Sequence, residues 1–102
     1  MPRILEFFPE VESFEWDEGN IEKNQGKHSV RWMEAEQVFF NRPIVVAEAM
    51  TKASESRYFA LGKTNAGRRL TIVFTIRGSR LRVISARPMS RRERRVYDKA
   101  QE

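Results

Sequence analysis

The sequence predicts an α+β domain, and three observations support this prediction. Two segments of helical character precede Pro43, β periodicity dominates residues 44–87, and a further helical segment follows. A chain of 102 residues with 40% hydrophobic content can enclose only one modest core. We therefore expect a single domain over residues 1–102, with two N-terminal helices and a C-terminal helix packed on a twisted, largely antiparallel sheet.

The first 43 residues predict an arm, a short strand and two helices. Residues 1–12 show no sustained period and are interpreted as an N-terminal arm. Residues 14–16 alternate like a short strand, and Asp17 is placed to cap a helix that continues to about Lys27. The next helix follows from apolar residues at helical spacing and ends before Pro43; these residues are Trp32, Ala35, Val38 and Phe39.

The second half of the chain predicts four strands and a helix. The strands are expected at residues 44–48, 57–62, 70–77 and 81–87, with a polar loop at 50–56. Gly67 suits a positive-φ position in a short loop, and Gly78-Ser79 suits a type II′ hairpin turn. Ser90 with Glu93 forms a capping box that begins the last helix.

The last hairpin is predicted to have one basic and one apolar face. A two-residue turn would pair Arg77 with Arg80, Thr75 with Arg82, and Val73 with Ile84. The opposite face should lie on the helices, since it is continuously apolar: Ile72, Phe74, Ile76, Leu81 and Val83. Arg87 nominally points to this core side, although the strand is ending there. Like charges on neighbouring strands are destabilising, so the arginine cluster indicates a purpose beyond folding.

Charge and composition favour a partner that is a polyanion. Residues 77–99 carry nine Lys/Arg against two acids, a local balance of +7, while the remainder carries ten against twelve. The chain has no cysteine, which excludes disulfides and thiolate metal sites. It has neither an apolar run of about 20 residues nor a signal-peptide pattern. We expect a soluble cytoplasmic protein that does not engage a membrane.

Several short motifs resemble the BrnT family of bacterial toxins over residues 14–97. The most specific are the Trp-Asp to Lys-His segment at 16–28 and the Thr-x-Arg-Gly to Ile-Ser-Ala-Arg segment at 75–87, followed by Arg92-Glu93-Arg94 and Tyr97. The resemblance implies a RelE-like fold and a ribonuclease toxin of a type II toxin-antitoxin system. It also implies a BrnA-type antitoxin as the partner, with promoter DNA contacted only through that antitoxin.

The residues also predict the type of chemistry. One His, no Cys and scattered acids argue against a zinc site and weakly against magnesium, so we expect neither a metal nor another cofactor. A metal-free cut uses the ribose 2′-OH as the nucleophile, and the protein must hold the phosphate and move two protons. Arginine suits phosphate binding because its planar fork binds two oxygens and stays charged.

The predicted site combines arginines with groups that exchange protons. The catalytic candidates are Lys27, His28, Glu55, Arg77, Arg82 and Tyr97, and the candidates for RNA binding are Arg57, Arg80, Arg87, Arg91 and Arg94. Each has a structural alternative. His28 could be structural, Tyr97 could pack on the sheet, Glu55 and Arg57 could form an exposed ion pair, and Arg80, Arg91 and Arg94 could be solvated. Glu93 is a further proton-transfer candidate, although its capping role comes first.

Two functions compete with the nuclease interpretation. A nucleic-acid-binding module without catalysis would use the same basic surface. An antitoxin-docking subunit would use the basic helix only to contact an acidic partner.

Overall fold

The protein is described by a computed structural model over residues 8–19, 21, 26, 28–49 and 56–101. Its elements are β1 (Ser13–Glu15), α1 (Trp32–Val38), β2 (Val45–Ala49), β3 (Arg57–Lys63), β4 (Arg69–Arg77), β5 (Arg80–Pro88) and α2 (Arg91–Ala100). Two helices thus have complete bounds within the described residues, where the sequence predicted three. The predicted helix at 17–27 and the predicted loop at 50–56 fall largely outside the described residues.

Within the described residues, the strands form one five-stranded sheet in the order β1-β5-β4-β3-β2. Strands β2 to β5 pair antiparallel with their sequence neighbours. The α+β class and the largely antiparallel sheet are therefore confirmed. The exception is β1, which pairs parallel with β5 at the edge of the sheet. Hydrophobic alternation predicted β1 as a strand but could not indicate its partner.

Helix α1 covers one side of the sheet, which we call the core face. Ala35, Val38 and Phe39 of the α1 region are buried against apolar residues of the three long strands: Ala60, Leu70, Ile72, Phe74, Leu81 and Val83. Close contact is possible because β3 has Gly62 beneath α1, where an added Cβ would lie 2.6 Å from Val38 Cγ1.

The described part of the predicted arm belongs to this core. Val11 is buried, and the ring centroid of Phe8 lies 4.9 Å from that of Tyr58. The described residues 8–12 of the predicted arm thus contribute apolar side chains to the core. Residues 1–7 lie outside the described part of the chain.

Helix α2 packs on the opposite side of the sheet, which we call the open face. Tyr97 is fully buried with Leu61, Met89 and Val45, and its hydroxyl donates to the Pro43 carbonyl oxygen at 2.8 Å. The sequence predicted that the apolar face of the hairpin would lie on the helices, and α1 packs there. Helix α2 packs on the open face instead, because Leu61 and Val45 add a smaller apolar patch at one end of it.

The turn of the last hairpin forms as predicted, but its register changes further along. Gly78 has φ 61° and Ser79 has no positive φ, as a type II′ turn requires. Arg77 pairs with Arg80 and Thr75 with Arg82, whereas a bulge pairs Val73 with Ser85 instead of the predicted Ile84. A bulge moves all later side chains to the other face. Arg87 consequently pairs with Thr71 and lies on the open face, not on the core side.

Among the described residues, no helix is both long enough and apolar enough to cross a membrane.

Candidate nucleic-acid interface

The hairpin end of the open face gathers three guanidiniums around one carboxylate, and we call these four residues the hairpin cluster. The Glu15 carboxylate lies 3.2 Å from Arg82 Nη1, 3.6 Å from Arg77 Nη1 and 3.7 Å from Arg80 Nη1. The Arg77 and Arg80 side chains are more than half exposed, whereas that of Arg82 is about a quarter exposed. The predicted convergence of the hairpin arginines is therefore seen in the structure.

Parallel pairing of β1 explains how the hairpin cluster tolerates its like charges. Phe14 pairs with Leu81 in the core face, so Glu15 projects beside Arg82 on the open face. Asp17 accepts a further bond from Arg82 Nη2 at 2.7 Å. The Asp17 hydrogen bond is the main cause that raises the pKa of Arg82. Glu15 therefore holds the three guanidiniums together, and Asp17 fixes Arg82 from a second side.

A second ionic group lies where β5 meets α2. Arg87 donates two parallel hydrogen bonds to Glu93, from Nη1 to Oε1 at 2.6 Å and from Nη2 to Oε2 at 2.8 Å. Ser90 N–H donates to Glu93 Oε1 at 2.7 Å, which confirms the predicted capping box. These bonds, Arg87 first, lower the pKa of Glu93 to about 2. Glu93 is thus an ionised acceptor at neutral pH.

A row of three apolar side chains and one serine separates the two ionic groups. Ala47, Phe59, Val73 and Ser85 lie side by side across β2, β3, β4 and β5 on the open face. Phe59 is 37% exposed although β3 is an interior strand. Beside its ring is a groove of about 220 Å³, lined by Val45, Ala47, Phe59, Leu61, Glu93 and Val96.

Arg57 adds a further positive charge to the open face. It precedes Phe59 by two positions on β3, so both side chains project to the same side of the sheet. Its Nε atom is buried and has no hydrogen-bond partner among the described residues. The neighbouring Thr75 hydroxyl donates to the Ser56 carbonyl oxygen at 2.7 Å.

Among the proton-transfer candidates that the structure describes, none joins the hairpin cluster. The His28 carbonyl oxygen accepts from Arg68 Nη2 at 3.3 Å, and Arg68 also bonds Glu34 of α1. His28 therefore lies near the Arg69 end of β4, whereas Arg77 is at the other end, about 26 Å along the strand. Lys27 and Glu55 lie outside the described residues.

The remaining predicted residues belong to α2. Tyr97 is fully buried, so its ring offers no surface to a stacking base, and burial raises the pKa of its hydroxyl. Arg91 and Arg94 are exposed. Their side chains extend the positive charge of the open face toward solvent.

Sequence reasoning did not include Glu15, Asp17 or Phe59 in the site. Alternation at residues 14–16 places Glu15 opposite the apolar side chains, but only the parallel pairing with β5 brings it to the arginines. Phe59 sat in a predicted strand and was indistinguishable from a core residue. Within the described ranges, no three His, Cys, Asp or Glu side chains group closely enough to hold a metal ion.

The fold and the site define an α+β protein with a cluster of guanidiniums on an open sheet face, a pattern that is typical of proteins whose partner is a polyanion. Residues 16–93 match the family described as "Ribonuclease toxin, BrnT, of type II toxin-antitoxin system". The chain belongs to this BrnT family of ribonuclease toxins.

A solved structure is also similar. The crystal structure of the Brucella abortus ribonuclease toxin BrnT aligns with a TM-score of 0.58 and 27% identity, over 79% of this chain and 100% of that chain. No curated protein matches the chain significantly.

Proposed function

We propose that this protein is a metal-independent endoribonuclease toxin that is neutralised by a BrnA-type antitoxin. The observation that carries the proposal is the hairpin cluster, in which Arg77, Arg80 and Arg82 surround Glu15 on an open face. Family membership supports the ribonuclease and toxin parts. The resemblance of the sequence motifs supports the finer points, namely the BrnA-type partner and a RelE-like arrangement of the fold.

The cluster supplies two of the functions that a metal-free cut requires, namely phosphate binding and a general base. Guanidiniums bind the non-bridging oxygens of the scissile phosphate and offset the charge that develops there. In the proposed reaction, the Glu15 carboxylate takes the proton of the ribose 2′-OH, and the 2′-oxygen attacks phosphorus. The bond from phosphorus to the 5′-oxygen breaks, and the leaving oxygen takes a proton from solvent water.

The ion pairs of the carboxylates support metal independence. Glu15 and Asp17 are both engaged by Arg82, at 3.2 and 2.7 Å, and two further guanidiniums lie near Glu15. A divalent cation at this position would be repelled by three positive charges. Arginine therefore takes the electrostatic role that a metal ion has in other nucleases.

An RNA-cleavage assay in EDTA tests the proposal. The wild-type protein is expected to cut RNA at an unchanged rate in the chelator. Arg82→Ala should lower kcat/KM about 10²-fold, the usual effect of removing a donor that stabilises the transition state. Glu15→Gln should lower kcat about 10²-fold or more but leave RNA affinity unchanged or higher, because it removes a base and a negative charge.

A matched control and the contrary outcomes complete this experiment. Arg31→Ala removes an exposed arginine at the start of α1, on the other side of the sheet, and should cut like the wild type. Cleavage that stops in EDTA and returns with Mg²⁺ would refute metal independence. RNA binding without cleavage would support the nucleic-acid-binding module. Neither activity, with retained antitoxin binding, would support the docking subunit.

A growth experiment tests the antitoxin part of the proposal. Expression of the protein in bacteria should arrest growth and cause RNA to be degraded. Coexpression of a BrnA-type antitoxin should restore growth and keep the RNA intact. Failure of that antitoxin to bind the purified toxin would contradict the assignment of the partner.

A further inference from the structure

Phe59 is the large aromatic residue that the open face exposes most. The other large apolar residues that are exposed within the described part of the chain are Trp32, Met33, Phe40 and Val96. The first three belong to α1 or its end, on the core-face side, and Val96 lines the groove next to Phe59. An exposed ring on an interior strand loses hydrophobic stabilisation that burial would provide.

The neighbours of Phe59 leave its ring uncovered. Ala47 and Val73 flank it on the adjacent strands, and both are small compared with the ring. Toward α2 the surface falls into the groove of about 220 Å³, which Glu93 and Val96 line from the helix. The groove therefore has the aromatic ring of Phe59 on one side and the aliphatic side chain of Val96 on the α2 side.

Positive charge lies on both sides of this groove. Arg57 is two residues from Phe59 on the same strand, about 7 Å away, with Arg82 beyond it across Thr75. On the other side Arg87 is fixed by its two bonds to Glu93. An aromatic surface between guanidiniums is the arrangement by which proteins bind single-stranded nucleic acid, since bases stack on the ring and phosphates meet the cations.

We propose that the Phe59 groove binds a nucleobase of single-stranded RNA, stacked on the Phe59 ring, while the hairpin cluster holds a neighbouring phosphate. This subsite rests on the proposed ribonuclease function and specifies its substrate as unpaired RNA. A paired base in a duplex cannot enter, because its faces are covered by its stacked neighbours.

Binding to two DNA probes tests the subsite without requiring cleavage. The first probe is a single-stranded oligodeoxynucleotide of about eight nucleotides, and the second is an abasic strand with the same phosphates. Neither has a 2′-OH, so neither can undergo the proposed cut. We expect the wild-type protein to bind the base-bearing strand about 10-fold more tightly than the abasic strand.

Three variants isolate the contribution of the ring. Phe59→Leu should bind both strands equally, whereas Phe59→Trp should keep the preference because it keeps an aromatic surface. Phe40→Leu is the matched control, since the Phe40 side chain is 51% exposed and lies at the end of α1, on the core-face side of the sheet. It should behave like the wild type. A thermal unfolding curve for each variant verifies that it is folded.

The outcomes separate this inference from the proposed nuclease. An unchanged preference in Phe59→Leu would overturn the subsite even if the wild-type protein cuts RNA. A lost preference would support the subsite even if the protein does not cut. If Phe59→Leu instead weakens only the binding of a BrnA-type antitoxin, the groove is a protein-docking site and the inference is wrong.

Discussion

Glu93 joins the last helix to the last strand through three strong hydrogen bonds. Both carboxylate oxygens accept from Arg87, and Oε1 also accepts from the Ser90 N–H. Its pKa in the folded protein is about 2, below the ordinary value of 4.5. A carboxylate with a lowered pKa stabilises the fold wherever it is ionised.

Glu93→Gln is expected to destabilise the protein by about 1–2 kcal/mol at pH 7, which combines a lost cap with a partly screened ion pair. Because the folded pKa is depressed, this stabilisation is complete above about pH 4.5 and is lost as the pH falls toward 2. Urea denaturation of both proteins between pH 7 and pH 2.5 should therefore show the two curves converging in acid. Glu10→Gln, at an exposed position, serves as the control. A constant difference across the whole range would contradict the assigned role of the carboxylate.

At the scale of single residues, contacts between residues close in the sequence were predictable, and contacts between distant residues were not. Arg77, Arg80 and Arg82 follow from a two-residue turn, because turn type fixes the register next to it. Glu15 reaches the same cluster from 67 residues away. No periodicity in the sequence encodes which strand β1 joins.

At the scale of elements, turns and caps were predicted more reliably than the register of long strands. The Gly78 turn and the Ser90 cap depend on residue chemistry over a few positions. The β5 bulge depends instead on how the whole strand fits the core, and it reverses the side on which Arg87 lies. The bulge is therefore the main reason why the Arg87–Glu93 pair could not be predicted.

Helix α1 and strand β3 approach each other at Gly62. Substitution by Ala would place a Cβ 2.6 Å from Val38 Cγ1. Although Ala is intrinsically better than Gly in a strand, we expect Gly62→Ala to cost about 1–3 kcal/mol because the core becomes overpacked. Urea denaturation measures the effect.

A double-mutant cycle checks the cause of this effect. In a Val38→Ala background the Cγ atoms are absent, so Gly62→Ala should cost clearly less than in the wild-type protein. Equal costs in both backgrounds would show that the α1–β3 contact is not the source.

At the scale of the whole molecule, the net charge of +5 is distributed unevenly. Besides Arg69, which bonds Asp98 of α2, five strand arginines of the described residues project from the open face: Arg57, Arg77, Arg80, Arg82 and Arg87. If each meets one phosphate, the logarithm of RNA affinity should fall with the logarithm of salt concentration with a slope of about −3.5. Because Glu15, Asp17 and Glu93 offset part of this charge, we expect a slope between about −2 and −3.5.

Titration of single-stranded RNA at several salt concentrations measures this slope. Arg82→Ala should reduce its magnitude by about 0.7, and Arg31→Ala should leave it unchanged. An affinity that does not depend on salt would exclude the open face as the RNA-binding surface.

The α+β class was predictable from the sequence, but the placement of the two helices was not. A change of period from helical to alternating fixes which elements form. Whether a helix lies on one face or the other depends on the small patch made by Leu61, Val45 and Tyr97, which the strand pattern alone does not distinguish from core.

The parallel contact between β1 and β5 also bears on how a cell can synthesise such a protein safely. Glu15 is translated 67 residues before its partner Arg82. A nascent chain that does not yet include Arg82 therefore carries an incomplete hairpin cluster. On the proposed mechanism such a chain cannot cut RNA, so we expect that the transcript being read is not attacked by its own unfinished product.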